Sequence, residues 1–368
     1  MIILETVAVA FAMFSAIPVP QPAWNEKNMR DVLCAFPLVG VVCAVAYGLW
    51  AALCGNWPVP DLLEAAGYCL APVLITGGIH LDGYADTCDA LASYADAAKR
   101  QEILKDPHCG AFALICVCSY FVAYFALCAS LTMDARTLAC LGLGFVLERA
   151  LSGWAVATLP LAKNTGLAHT FATAADRRMV RWILAVLAFV LSAALMAVGG
   201  MAGILMVAAM LFVLWRYHTV AQKQFGGISG DLAGWFLQKA ELWMLAALVL
   251  CRIVEGMIFL FGPLYSGKRA FACKLLHCRE EELSNYAVWD VQDQAAQAED
   301  LAALAQELTR YPVVIATEVG GGVVPADARE RAAREAAGRL NCLLSDRADT
   351  VVRVFYGLPL VLKGSLSQ

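Results

Sequence analysis

Charge is what this chain has least of. Of its 368 residues only 16% are charged while 61% are hydrophobic, whereas an average soluble domain is about a quarter charged and roughly half apolar. That deficit excludes an ordinary soluble enzyme and a disordered chain alike. A basic excess is missing too: 27 Lys and Arg against 31 Asp and Glu leave a net charge of −4, so there is no electrostatic footprint of a nucleic-acid binder. The 14 cysteines include no Cys-x-x-Cys pair, which removes the ligand spacing of a zinc site. Most of them (Cys34, Cys43, Cys54, Cys69, Cys116, Cys118, Cys128, Cys140, Cys251) lie inside apolar runs, where a free Cys behaves as a small hydrophobe. Reduced cysteines fit a cytoplasm-facing protein better than a secreted one. The Lys/Arg start and small-residue cleavage site of a signal peptide are also lacking, and no internal repeat or low-complexity segment stands out.

What is there is unevenly placed. Residues 263–368 hold 12 of the 27 basic and 14 of the 31 acidic residues, so the tail reads as water-soluble and the front as membrane. About 20 apolar residues make a span. Val32–Cys54, Leu62–Gly78, Gly110–Leu131 and Leu138–Leu161 qualify or nearly so, and Trp182–Trp215 breaks at Val198-Gly199-Gly200 into two short spans. Ile2–Ile17 ends in Pro18-Val19-Pro20 and reads as a half-span or interfacial helix. In Leu232–Gly262 only Leu242–Cys251 is cleanly apolar, which predicts a partial or interfacial helix there. The expectation is a polytopic α-helical membrane protein of about six to seven helices, residues 1–255, with a small C-terminal α/β domain, residues 256–368. In that tail Met257–Phe261, Val313–Ala316 and Val351–Phe355 read as strands, and Asp290–Arg310 and Ala326–Leu344 as helices.

Loops distinguish the two membrane faces. Gln21–Asp31, His80–His108, Lys163–Arg181 and Arg216–Asp231 carry Lys27, Arg30, Lys99, Arg100, Lys105, Lys163, Arg177, Arg178, Arg181, Arg216 and Lys223, whereas the alternate loops hold a single Arg. The positive-inside rule puts the basic loops in the cytoplasm. Every residue with chemical potential lies on that same side.

The strongest of these is His80-Leu81-Asp82-Gly83-Tyr84-Ala85-Asp86-Thr87-Cys88-Asp89. Asp82, Asp86 and Asp89 stand at i, i+4 and i+7 and share one helical face. Three carboxylates interleaved with Gly, Ala, Cys and Tyr repel one another unless a cation neutralises them, and hard oxygen ligands at this density favour Mg²⁺. The plainer reading is a solvated acidic helix start. Lys105 and Asp106, before Pro107, offer a phosphate contact and a further ligand or base, or else a simple turn. Gly226-Gly227-Ile228-Ser229-Gly230-Asp231 offers backbone amides to a phosphate, with Asp231 at a helix N-terminus, or else is a plain Gly-rich turn. In the tail, Gly262-Pro263-Leu264-Tyr265-Ser266-Gly267-Lys268-Arg269 fits the G-x4-G-K phosphate loop after a strand, with Arg269 where a magnesium-binding hydroxyl belongs. Glu318–Pro325 is a second Gly-rich strand-to-helix connection.

These residues carry a resemblance. The His80–Asp89 segment, Lys105-Asp106 with Gly110-Ala111-Phe112, Phe14–Pro20, Phe36–Gly40 and Gly226–Asp231 resemble cobalamin synthase, also called adenosylcobinamide-GDP ribazoletransferase. The resemblance covers most of residues 1–255. It implies transfer of the cobinamide-phosphate moiety of adenosylcobinamide-GDP to α-ribazole or its 5′-phosphate, with GMP released. It also implies Mg²⁺ on Asp82, Asp86 and Asp89, a multi-pass location in membrane lipid, and an active site facing the cytoplasm. The tail is similar to the adenosylcobinamide kinase/guanylyltransferase family through the phosphate loop, Glu318–Pro325, Gly338-Arg339-Leu340-Asn341 and Gly357-Leu358-Pro359 with Lys363, implying a guanine nucleotide there. It departs from that family at Arg269, at Thr317 in place of Asn, and in lacking most of the segment that carries a guanylylated histidine, His277 being its only His. These departures favour a degenerate or regulatory domain. Other readings are a CDP-alcohol phosphotransferase-like lipid synthase, disfavoured because Ala85 precedes Asp86 rather than Arg, and a transporter with a nucleotide-sensing tail, for which Glu148 and Arg149 alone lie deep in a span.

Overall fold

The computed structural model describes residues 2–20, 29, 31–106, 108–131, 133–162, 177–321, 323–364 and 366. Lys27, Arg30, Pro107, Lys163, most of the loop 163–181 and Gly322 fall outside the described residues. The chain divides into two compact units, Met1–Cys251 and Arg252–Gln368.

The first unit is helical. Helix α1 is Ile2–Phe14, α2 Val32–Asn56, α3 Asp61–Thr76, α4 Ile79–Ala92, α5 Ala97–Ile103, α6 Ala111–Ala129, α7 Ala135–Thr158, α8 Arg177–Gly199, α9 Met201–Val220 and α10 Gly230–Glu255. Six helices (α2, α6, α7, α8, α9 with its π-turn extension Ala221–Phe225, and α10) are long and apolar enough to cross a membrane. This is a multi-pass membrane protein.

Two expectations change. Leu62–Gly78 does not run on as a simple span: α3 stops at Thr76, and Gly77 and Gly78, both left-handed (φ 65° and 77°), turn the chain through 94° into α4. Only glycine takes two such residues in succession cheaply. Second, α10 is one continuous helix of 26 residues rather than a partial one. Its polar interruptions Gln238 and Glu241 are buried in the bundle, not presented to lipid. The hairpin between α8 and α9 turns at Gly200, as its glycines predict.

Helix α7 is the hub. It packs on α2 and α8, and 72% of its most apolar window is buried, against 22% for α6 and for α8. Close backbone approach explains why. A Cβ on Gly40 of α2 would fall 2.4 Å from the Phe145 carbonyl oxygen, and one on Gly142 would fall 3.0 Å from the Ala44 Cβ. Lipid gives no hydrophobic drive between helices, so such small-residue contacts carry membrane packing. The outer face of α8 leaves Trp182, Val186, Phe189 and Val190 exposed.

Glu148 and Arg149 of α7 do pair, and a third member joins them. Arg149 contacts the Glu148 carboxylate, donates to the Phe145 carbonyl at 3.0 Å, and faces Glu241 of α10 at 3.5 Å. Glu241 also accepts from Tyr120 Oη at 3.3 Å. All four side chains are buried, so the arginine ties α7 to α10 and, through Tyr120, to α6. A buried group of this kind loses several kcal/mol if one partner is removed, which makes it a structural tie.

The second unit is a five-stranded sheet, order β2-β3-β1-β4-β5, with β1 Ile258–Gly262, β2 Ala287–Val288, β3 Val313–Thr317, β4 Thr350–Phe355 and β5 Leu358–Lys363. The first four pair in parallel and β5 returns antiparallel on β4. The apolar runs of β1, β3 and β4 predicted their places. The two-residue β2 is too short to show such a run, and the edge strand β5, Leu358–Lys363, is apolar but exposed along its whole length. The predicted helix over Asp290–Arg310 is two, α12 Val291–Ala295 and α13 Leu301–Leu308, the second begun by Asp300 capping Ala302 and Ala303. Lys268–Leu276 is α11 and Ala328–Arg347 is α14.

Candidate active site

The sharp turn at Gly77-Gly78 sets α4 off from α3, and α4 is not among the six span-length helices. Asp82 is exposed while Asp86 and Asp89 are half-buried along its polar side. Residues between them (Gly83, Tyr84, Thr87 and Cys88) are buried, so the helix is amphipathic with its acids on the outer face, as the i, i+4, i+7 spacing predicts.

Asp231 joins this group from 142 positions further along the chain. Two glycines make the approach possible. A Cβ on Gly83 would lie 2.8 Å from both the Asp231 Cα and its carbonyl oxygen, and a Cβ on Gly234 would lie 2.7 Å from the His80 carbonyl oxygen. The first turn of α10 therefore lies backbone-to-backbone on the first turns of α4. Burial, with the charges of Asp82, Asp231 and Asp89, pushes the Asp86 carboxyl up to about 6. The like-charge repulsion expected from the sequence is thus present, with a fourth carboxylate added.

The loop after α4 returns to the same place. The Asp89 carboxylate rests on Gly110, where a Cβ would come within 2.1 Å of both of its oxygens. Helix α5 is held by Gln101, which donates to the Phe225 carbonyl at 2.7 Å, and by Arg100 against Gln224. These partners had no sequence signal, being polar residues of unremarkable spacing. Lys105 and Asp106 are exposed. Asp106 Oδ1 accepts from the His108 backbone N–H at 3.0 Å and meets His108 Nδ1 at 2.6 Å, which holds its carboxyl below the usual range.

The Gly226–Asp231 turn is not the open cradle expected. Gly226 (φ 73°) ends the π-turn, and the amides of Gly226 and Gly227 both donate to the Ala221 carbonyl. Ile228 donates to Pro160 at 2.9 Å, in a bridge beside Leu161. A Cβ on Gly227 would strike the Leu161–Ala162 backbone at 2.4 Å. Gly227 thus serves close packing, and Gly226 the left-handed turn that ends the π-turn. Ser229 is a helix cap: its Oγ accepts from the Leu232 N–H at 3.3 Å and lies 3.4 Å from Asp231 Oδ2. Of the first-turn amides of α10, Leu232 is taken by the Ser229 Oγ and Ala233 by the Ser229 carbonyl, so an anion would be met at the very start of the helix, at Gly230.

Beside Asp82 and Asp231 opens an apolar cavity of about 310 Å³. Phe14, Leu33, Phe36 and Val156 line it, with His80 as a buried polar member. Burial, and secondarily the Arg149 charge, pushes the His80 imidazole down to about 3, so it is neutral.

Among the described residues no three His, Cys, Asp or Glu side chains converge as a ready-made ligand cage. The donor chemistry nonetheless fits Mg²⁺. That ion keeps several waters and uses one or two carboxylates plus substrate phosphates rather than a full protein cage, and the raised Asp86 carboxyl marks an excess of negative charge awaiting a cation.

In the second unit the loop from Gly262 to Gly267 joins β1 to α11, with Gly267 left-handed at φ 84°. Lys268 is buried, and its Nζ donates to the Gly262 and Pro263 carbonyls at 3.1 and 2.6 Å, folding back on its own loop. Arg269 pairs with Asp290 at 2.6 Å and lies over the Trp289 ring at 4.8 Å. A cavity of about 460 Å³ lies over this loop, lined also by Glu280 and Thr317. His277 does not line it: exposed and left-handed (φ 51°), it ends α11.

A family model described as cobalamin-5-phosphate synthase matches residues 6–249. One described as cobinamide kinase / cobinamide phosphate guanyltransferase matches residues 268–362. An adenosylcobinamide-GDP ribazoletransferase of Lachnoclostridium phytofermentans is 40% identical over 261 residues, 69% of this chain and 96% of that relative. A relative of the same name from Geobacillus kaustophilus is 32% identical over 247 residues, 64% of this chain and 92% of that protein. One from Clostridium botulinum is 27% identical over 235 residues, 63% and 92% respectively.

Proposed function

The chain belongs to the cobalamin-5-phosphate synthase family, and from that premise we propose that its membrane unit transfers the cobinamide-phosphate moiety of adenosylcobinamide-GDP to α-ribazole, or to its 5′-phosphate, releasing GMP. A hydroxyl of the acceptor ribose attacks the phosphorus bonded to the cobinamide arm. The new P–O bond forms as the P–O bond of the diphosphate bridge breaks, and GMP leaves with that electron pair. The hydroxyl proton passes to a carboxylate, and we assign that role to Asp231 by its place, at the α4–α10 contact and on the wall of the cavity, where Asp106 does not reach. One or two of Asp82, Asp86 and Asp89 would hold Mg²⁺ together with the substrate's phosphates, and the ion would supply charge neutralisation for the diphosphate and the leaving GMP. The amide at the start of α10 and the exposed Lys105 face the anionic product.

One observation carries this reading above the others: the contact of Gly83 with Asp231, which gathers carboxylates from two distant segments beside an apolar cavity within a multi-span bundle. A lipid synthase of the CDP-alcohol type and a carrier have no comparable support from the family match. The distribution of basic loops supports a site facing the cytoplasm, in the cell membrane.

For the second unit we propose guanine-nucleotide binding without phosphoryl transfer. The loop from Gly262 to Gly267 and the cavity over it, which Lys268 helps to line, support binding. Arg269, engaged with Asp290 and Trp289, leaves the magnesium-binding hydroxyl unsupplied, and no histidine lines the cavity among the described residues.

Membranes containing the full chain, incubated with adenosylcobinamide-GDP, α-ribazole and Mg²⁺, are expected to release GMP. Asp82→Asn should abolish that release while the protein still inserts. Near-normal turnover of Asp82→Asn would overturn the metal assignment, and no GMP from the unaltered chain would overturn the function.

A further inference from the structure

The cavity over the phosphate loop has two walls joined by a hinge. Lys268 and Arg269 stand on one wall, at the start of α11, and Glu280, Trp289 and Asp290 on the other. The chain passes from the first wall to the second through the C-terminus of α11. There His277 is left-handed at φ 51°, a conformation that suits glycine and strains a residue with a Cβ. The Cys278 N–H donates to the Cys273 carbonyl at 3.1 Å, and the His277 N–H to the Lys274 carbonyl at 3.4 Å. These are the two bonds of a Schellman cap, a motif that brings the side chains at its first and sixth positions together, ordinarily as an apolar contact.

Here both of those positions are cysteines. Cys273 and Cys278 are each half-buried, so solvent reaches them, and their thiols are within hydrogen-bonding reach of each other. Among the described residues no third His, Cys, Asp or Glu joins them as a metal-binding group. Thiol–disulfide exchange is the chemistry open to two thiols so placed. Burial, with Cys273 beside it, pushes the Cys278 thiol up, so at neutral pH the pair rests as a dithiol.

We propose that Cys273 and Cys278 form a reversible disulfide that clamps the hinge at His277 and holds the two walls of the cavity in place. The oxidant is a small-molecule disulfide of the glutathione class. One cysteine, as its thiolate, attacks a sulfur of that disulfide; the S–S bond breaks, and one small thiol leaves with the electron pair and a proton. The second cysteine attacks the mixed disulfide in the same way, and the second small thiol leaves. Two protein thiols are thereby oxidised to one disulfide, and one small disulfide is reduced to two thiols. Disulfides in a reducing compartment are of this transient, sensing kind. A hinge locked in the conformation it already holds pre-organises the cavity beside it. Control of nucleotide binding rests on the guanine-nucleotide reading above, whereas the clamp itself does not.

The test equilibrates the full chain, in lipid nanodiscs, with reduced and oxidised glutathione over a range of ratios, then blocks free thiols and maps the peptides by mass. A Cys273–Cys278 cross-link is expected to form at the oxidised end and to disappear on return to the reduced one. Cys273→Ser and Cys278→Ser should each trap glutathione on the cysteine that remains. In the cross-linked protein, hydrogen exchange at the His277 and Cys278 amides is expected to slow about tenfold, and release of GDP about threefold. Neither rate should respond to oxidation in the double variant Cys273→Ser, Cys278→Ser. No cross-link at any ratio, or a cross-link that leaves exchange at the hinge unaltered, would overturn the proposal. Slowed exchange with unchanged or faster GDP release would overturn the hold on the cavity. Slowed exchange in a protein that binds GDP in neither state would uphold the clamp and overturn the guanine-nucleotide reading.

Discussion

Gly83 and Asp231 touch through their backbones: a methyl group on Gly83 would lie 2.8 Å from the Asp231 Cα. Neither partner at that contact is a flexible side chain, so α4 and α10 cannot both stay in place if the glycine is replaced. Gly83→Ala is expected to move Asp231 away from Asp86 and lower GMP release about a hundredfold, the scale of an ångström-sized misplacement in an active site. Membrane insertion and expression should persist. Turnover within threefold of the parent would show that the contact does not set the geometry of the reaction.

The Asp86 carboxyl supplies a pH signature. Its folded value of about 6 stands above the ordinary 3.8, so between those values the folded protein binds a proton that the unfolded chain does not. The sign follows: this group makes the metal-free fold less stable as pH rises through about 6, and more stable as pH falls below it. Cation binding expels that proton. Mg²⁺ affinity is therefore expected to weaken as pH drops below about 6, approaching tenfold per unit, and calorimetry in buffers of different ionisation enthalpy should detect the released proton. Asp86→Asn should flatten the pH dependence; an unaltered profile would remove Asp86 from the cation site.

The buried Arg149 predicts a large stability effect. Removing it strands Glu148 and Glu241 with no positive partner, a loss of about 3–5 kcal/mol for buried pairs of this kind. Arg149→Met is expected to lower the thermal midpoint in detergent sharply. The triple variant Arg149→Met, Glu148→Gln, Glu241→Gln should recover much of that loss, because no unpaired charge remains. Failure of the triple variant to recover would indicate that packing, not charge, is what Arg149 supplies.

For the second unit the prediction concerns metal. With Arg269 turned to Asp290 and Trp289, GDP binding by the full chain should change less than twofold on adding EDTA, whereas Lys268→Ala should weaken it at least tenfold. GTP-dependent phosphorylation of adenosylcobinamide is expected to be absent. Detecting it would show that Arg269 does not disable the loop.

Much of this protein was legible without coordinates because the signals concerned are local. Sparse charge over the first 262 residues and dense charge after them separate membrane from aqueous unit, since the cost of burying charge in lipid applies residue by residue. Asp82, Asp86 and Asp89 share a face because helical periodicity alone dictates it. Tertiary structure decided what depends on distant partners. Asp231 joins the acids through two glycines whose importance lies in the backbone opposite them. The Gly226–Ile228 amides turn inward because Pro160 and Ala221 happen to be there to accept. Glu241, which looked like an interruption, is the partner that lets α10 run on as one helix, and His80, an ordinary member of a motif, lines a cavity that four other segments close. Periodicity records which way a side chain faces along its own helix; what it meets there is set by packing between segments, which no local pattern encodes.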